Sequence, residues 1–252
     1  MSIYALKLSG LLVVAGLFLQ DDPVAAEALK GYTHPWAGFG EGSRVVCREN
    51  SRVPDSDASG KLIYRDVVNE IVWTVLEVAG QKSTIKIEGA GQESIVPHFV
   101  ALPGWTRGKG ERKGEEEIAV GDRKFACQVT AILLDPDKDA AQVTTIWSSP
   151  VVPYWSVRRR VETFIKGKLN TSEEEALLDV EERVKVGERE VMCVVVQVTT
   201  DVVGVGKTVR KEWRSDEVPG RVVRRQSRQY IGGKEVESGV SQMEVVSFLA
   251  KR

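Results

Sequence analysis

Residues 187–225 read GEREVMCVVVQVTTDVVGVGKTVRKEWRSDEVPGRVVRR, and residues 121–159 read GDRKFACQVTAILLDPDKDAAQVTTIWSSPVVPYWSVRR. Laid over each other without a gap, they hold one offset: 193 − 127 = 66 for the cysteines, 213 − 147 = 66 for the tryptophans and 219 − 153 = 66 for the prolines. Gly121, Arg123, Val129, Asp135, Val143, Ser149, Val152 and Val157 meet Gly187, Arg189, Val195, Asp201, Val209, Ser215, Val218 and Val223 in the same register. The matches are core residues, turn residues and spacing, so a single supersecondary unit is used twice.

Each copy reads as three strands. Phe125, Cys127, Val129, Ala131 and Leu133 fall on one face of the first strand, with Lys124, Gln128 and Thr130 on the other. Val191, Cys193 and Val195 repeat the apolar face. A turn follows, Asp135-Pro136-Asp137 or Gly204-Val205-Gly206, then a strand carrying Trp147 or Trp213. The S-x-x-V-P segment leaves the sheet there, because proline donates nothing to a ladder. A third strand begins at Val157 or Val223. Each tryptophan is expected to bury against its corner; stacking on a ligand is the alternative.

Working outward, Arg44–Glu49, Lys61–Arg65, Ile71–Val78, Thr84–Ile87 and Val245–Leu249 read as strands, with a loop at Ser51–Gly60. Hairpin turns fall at 79–82 and 231–234. Residues 103–117, PGWTRGKGERKGEEE, read as a loop holding Trp105. Residues 167–175 link the copies; Ser172 and Glu175 could cap a short helix, while the alternation from Val180 suits a strand. Thr33-His34-Pro35-Trp36 reads as a helix start that would bury Trp36 and Phe39 on one turn. The fold class is therefore mainly β: an antiparallel meander forming a curved sheet or open half-barrel, with few short helices. Residues 29–252 form one β domain containing both units, the other division being two domains split near 167–175.

Lys7, the apolar run Leu8–Leu19 and Ala26-Glu27-Ala28 have the order of an export signal peptide. Residues 1–28 are thus expected to be removed and to pack against nothing. The run is shorter than the ~20 residues a spanning helix needs, so no stable transmembrane anchor remains after cleavage. The mature protein is expected outside the cytoplasm, periplasmic or secreted. With 35 basic against 36 acidic residues, bulk nucleic-acid binding is disfavoured.

Chemistry-bearing motifs are few. Gly204-Val205-Gly206-Lys207-Thr208 lacks the earlier glycine of a phosphate loop, since position 201 is Asp, and a strand follows it. His34 and His98 have no partner at ligand spacing, so no metal is expected. No G-x-S-x-G elbow supports a serine nucleophile. No cofactor and no catalytic residue are assigned, and the chain does not read as an enzyme. Cys47, Cys127 and Cys193 are core residues, or the last two bridge if their strands are neighbours. Arg158–Arg160, Arg221, Arg224, Arg225 and Arg228 face glutamates at 115–117, 173–175 and 181–182. Cross-strand pairing on an exposed sheet is the plain reading, a basic groove for an anionic headgroup or polymer the sharper one.

Gly187-Glu188-Arg189-Glu190-Val191-Met192-Cys193, then Lys211-Glu212-Trp213-Arg214-Ser215-Asp216-Glu217-Val218-Pro219-Gly220, resembles a group of exported bacterial β-proteins without assigned function. Their opening, Pro-Trp-Ala-x-Phe-x-x-Gly-Ser, is matched by residues 35–43. The first copy departs from that pattern, with Tyr154 and Trp155 after its corner proline. More distantly, the chain is similar to periplasmic lipoprotein carriers of the LolA/LolB type. That resemblance implies an incomplete barrel holding acyl chains on its concave face, and fold alone does not carry function.

Two functional readings follow. One is a non-enzymatic exported module sheltering an apolar or lipid-like ligand, or a partner's segment, on the concave face. Its cleft would be lined by Trp36, Phe39, Trp105, Phe125, Val129, Val191 and Val195. The other is a structural or interaction protein of the cell envelope without a ligand cavity.

Overall fold

The computed structural model describes residues 22–28, 34–36, 38–79, 82–99, 108–135, 139–152 and 156–252. One short helix, α1 (Pro23–Ala28), precedes the strands β1 (Arg44–Ser56), β2 (Leu62–Ala79), β3 (Lys82–Gly89), β4 (Gln92–Phe99) and β5 (Lys109–Val120). Then come β6 (Arg123–Leu134), β7 (Ala140–Ser148), β8 (Ser156–Ile165), β9 (Lys168–Val186) and β10 (Arg189–Val202). The chain ends with β11 (Gly206–Arg214), β12 (Val222–Ile231) and β13 (Lys234–Leu249).

All thirteen strands join one antiparallel sheet of order β4-β3-β2-β1-β13-β12-β11-β10-β9-β8-β7-β6-β5. Sheet neighbours are sequence neighbours everywhere except at β1 and β13. With β4 and β5 as free edges, the sheet is open, the meander that the alternation and turn spacing predict.

The two copies occupy β6–β8 and β10–β12 and agree residue by residue. Val129 pairs with Trp147 as Val195 pairs with Trp213. Trp147 then pairs with Arg158, and Trp213 with Arg224, each followed by an irregularity in register. The corners close alike, Val152 donating to the Ser149 carbonyl and Val218 to that of Ser215. Both tryptophans are buried. Pro153, Tyr154 and Trp155 lie outside the described residues.

This equivalence builds two cores. Phe125, Cys127, Val129, Trp147, Val152 and Val157 form the centre of one, and their partners at the repeat offset form the centre of the other. Leu177, Val180, Val194, Val196 and Val198 complete the first; Val45, Cys47, Met243 and Val245 complete the second. β10 therefore supplies both, Val191, Cys193 and Val195 on one side and Val194, Val196 and Val198 on the other. A strand covered on both faces reads as an unbroken apolar run, here Val194-Val195-Val196. A third, smaller cluster joins Trp36, Val75 and Ile85, with Trp73 and Ile87 packed against it.

Several local expectations are corrected. Lys109–Val120 is strand rather than loop, and its charges suit an edge that must not recruit another chain. Residues 168–186 form one continuous strand, so the Ser172 cap is not used and the sheet runs unbroken past 167–175. β1 continues through the predicted loop to Ser56, paired with β2 throughout. Trp36 and Phe39 are buried on a turn rather than a helix, with Phe39 N donating to the Trp36 carbonyl. Cys47, Cys127 and Cys193 are buried free thiols.

Residues 22–28 depart from the expectation that the leader packs against nothing. Asp22 caps α1, its Oδ1 accepting from Val24 N at 2.9 Å and Ala25 N at 3.2 Å, with Pro23 in the first turn. Ala25 and Ala28 pack on Ile132 and Ile146. Gly110 makes the approach feasible, since a Cβ there would stand 2.6 Å from Ala25 N. The apolar run Leu8–Leu19 lies outside the described residues.

Candidate functional site: an arginine-lined cleft under two tryptophans

The face of β9–β12 that carries Val194, Val196 and Val198 changes character towards β11. There Arg210, Glu212 and Arg214 alternate on the strand, with Lys211 and Trp213 on the opposite face. Register sets Val198 between Glu175 and Arg210, and Val196 between Leu177 and Glu212. Arg225 lies opposite Glu212 on β12, and Arg159 opposite Glu175 on β8. The period-two spacing of the charges thus brings β8, β9, β11 and β12 together into one ladder across the valines of β10.

The ladder is tightly paired at its centre. Glu212, 3% exposed, accepts from Arg225 Nε at 2.8 Å on one oxygen and from Arg214 at 2.8–2.9 Å on the other. Arg214 also reaches Glu175 at 2.9 Å. Arg159 contacts Glu173 at 3.2 Å and Glu175 at 3.7 Å, and Arg210 stands 3.7 Å from Glu173. On the other face, Arg158 and Arg160 both bind Glu174 at 2.8 Å. Burial opposes ionisation of Glu212, yet Arg214 and Arg225 outweigh it and hold its carboxyl below the ordinary value. Burial likewise opposes ionisation of Glu175, and Arg214 and Arg159 hold it low. Arg214, desolvated but between two carboxylates, has its pKa raised.

Over this floor lies a cleft of about 420 Å³, walled by His34, Pro35, Trp36, Trp73, Ser156 and the Gly220–Val222 segment. The volume is that of a small-molecule site. Trp36 and Trp73 form its aromatic wall, ring centroids 5.7 Å apart. Trp36 is held by the second corner: its ring covers Gly220, where a Cβ would come within 2.8 Å, and Gly220 N donates to the Pro35 carbonyl. Gly220 also sits at φ 77°, open to glycine at little cost. The opening motif and the second corner motif are two halves of one contact.

The lining holds Arg159, Arg210, Arg214, Arg221 and Arg225 against Glu173, Glu175 and Glu212, so formal charge is 5 − 3 = +2. Arg221 is 2.7 Å from Asp216 outside the lining. Two buried donors, Trp73 Nε1 and Arg210 Nε, have no hydrogen-bond partner among the described residues. A low-dielectric cleft whose arginines outnumber its carboxylates favours an anion. Glu175 and Glu212, held ionised by arginine, are weak bases. Among the described residues no group of three or more His, Cys, Asp or Glu is placed to hold a metal.

The residues expected to line an apolar cleft separate. Phe125 and Val129 lie in the first core, and Val191 and Val195 in the second, each filled by the protein's own side chains. Phe39 is buried beside the C-terminal Arg252 guanidinium, 5.9 Å from its ring centroid. Only Trp36 borders the cleft, and Trp105 lies outside the described residues. Sequence reasoning missed Trp73, Arg210, Glu212 and Arg214. The available sign was Arg210-x-Glu212-x-Arg214, charge alternating on a strand whose other face carries a core tryptophan.

Compared with family profiles, with curated proteins and with solved structures, the chain finds no match in any of the three.

Proposed function

We propose that this protein is a non-enzymatic binding module of the cell exterior whose ligand is an amphipathic anion. The lipid-like body lies along Trp36 and Trp73, and the acidic head meets the arginine floor. The observation that carries this reading is a 420 Å³ cleft with an aromatic wall and five arginines against three glutamates, +1 once Asp216 beside Arg221 is counted. It revises the apolar-cleft expectation in one respect: the valine faces of the sheet are packed cores, so the ligand site is the polar cleft beside the opening motif. Placement outside the cytoplasm rests on the Leu8–Leu19 run and its flanks.

Intrinsic fluorescence tests it, because two tryptophans line the site. Dodecanoate should give a saturable change, with dodecanol and the Arg210→Gln variant at least about tenfold weaker, the loss expected for one charge-assisted bond. Equal binding of dodecanoate and dodecanol would remove the anion from the proposal. No saturable binding of either leaves the envelope structural or interaction role, which the filled cores favour.

A further inference from the structure

Every second connection in the meander is a hairpin at one end of the sheet, and three adjacent central tips share one composition. The β8–β9 tip is Ile165-Lys166-Gly167-Lys168-Leu169, the β10–β11 tip runs from Val203 through Gly204 and Val205 to Lys207, and the β12–β13 tip is Ile231-Gly232-Gly233-Lys234. Each combines aliphatic side chains, glycine and lysine. Ile165, Leu169, Val203, Val205 and Ile231 are 40–63% exposed, and the four lysines are exposed beside them.

The tips are neighbours by register. Val202 pairs with Thr171 on one side and Gly206 on the other, and Lys207 pairs with Tyr230. Val203 N donates to the Asn170 carbonyl at 3.0 Å, tying the second tip to the first. The second and third tips flank an open groove of about 850 Å³ lined by Val205, Lys207, Tyr230 and Ile231. With about 4.8 Å between strands, successive tips stand roughly 10 Å apart and nearly level. Lys166 and Gly167 at φ 50° and 74°, and Gly232 and Gly233 at 57° and 79°, make two of them tight primed turns, which hold their side chains outward.

We infer that these three tips form a docking surface for an anionic lipid bilayer. Charge decides the class of partner. Lys166, Lys168, Lys207, Lys234 and Arg228 stand with Asp201, Glu235 and Glu237 along these tips, 5 − 3 = +2, and Glu235 is already 3.3 Å from Arg228. Asp135 and Asp139 bound the patch on one side, and on the other the β1–β2 tip balances Asp55 and Asp57 with Arg65 and Lys61. Geometry supports the same choice. A protein partner needs a contiguous apolar patch, whereas separate aliphatic tips can each enter the acyl boundary while lysines stay at headgroup level. The surface lies at the hairpin end of the strands that carry the arginine floor, with Lys207 three residues from Arg210, and does not depend on a ligand there.

Vesicle flotation tests the inference with the whole chain. The protein should float with phosphatidylcholine vesicles containing phosphatidylglycerol and not with phosphatidylcholine alone, and binding should fall as salt rises. Val205→Asp with Ile231→Asp should weaken binding at least about tenfold, as should Lys166→Gln with Lys168→Gln. Both pairs sit on solvent-facing turns, and an unchanged melting temperature confirms folding. A chain that does not float with anionic vesicles, or tip variants that float like the parent, would overturn it. Lysine variants that float normally while the aliphatic pair fails would remove the charge argument and with it the anionic bilayer.

Discussion

Trp213 has two cations against its ring: Lys211 Nζ lies 4.6 Å and the Arg224 guanidinium carbon 5.4 Å from the centroid. Trp147 has only Arg158, at 4.9 Å, but its Nε1 donates to Glu116 at 2.7 Å, whereas Trp213 Nε1 is buried without a partner among the described residues. The two copies thus use one packing position with different polar support. Because Trp213 meets Val218, Val223 and the valines of β10, Trp213→Ala should destabilise the protein by about 3–5 kcal/mol, read as a shift in urea midpoint at constant slope. A loss below about 1 kcal/mol would mean that the corner collapses into the vacated space. Burial of both tryptophans and of Cys127 and Cys193 was readable from the repeat, since an apolar strand face held at identical spacing in two copies is a face that packs in a core. The Glu116 bond was not, because nothing in a linear sequence sets which carboxylate of a charged strand curls over its neighbour.

At the scale of elements, the Arg–Glu ladder makes β8–β12 acid-sensitive. Glu175 and Glu212 have folded pKa values below their ordinary 4.5, so they bind fewer protons folded than unfolded. The stability they contribute is full above about pH 4.5 and is lost as pH falls from there through the folded values. Melting temperature should therefore be insensitive to these groups at neutral pH and drop below 4.5. Glu212→Gln should lower stability at pH 7, by stranding Arg214 and Arg225, and flatten that acid slope. An unchanged slope would assign acid sensitivity elsewhere. The strands bearing this ladder were legible as strands from β10 onward. β5 and β9 were less so, because runs such as Lys109–Glu117 and Thr171–Glu175 lack apolar alternation. Their strand form comes from the neighbours they pair with, β6 on one hand and β8 and β10 on the other.

For the whole molecule, four clusters follow one another in a row along one sheet, with β10 between the two largest and β1 and β13 closing the second of these. Stability in such a row is set by each unit and its immediate neighbours. Hydrogen exchange should accordingly be slowest in β10, buried on both faces, and fastest at the edge strands β4 and β5. Slowest exchange in β3–β4 would contradict that order. The open meander was legible from strand spacing, whereas the cleft was not. It arises from the meeting of Trp36, Trp73 and Gly220, which are brought together only when β1 and β2 are placed beyond β13, a long-range adjacency that leaves no periodic trace.

That same adjacency governs the order in which the chain can mature. Arg44 faces Leu249, a separation of 249 − 44 = 205 residues, and Ser43 Oγ bonds the Lys251 carbonyl. During synthesis β1–β4 has no lasting partner for one flank until the last strand emerges. Contacts of such sequence distance slow folding and leave a strand edge open to wrong partners meanwhile. A chain built this way favours being kept unfolded until β13 is available to pair with β1.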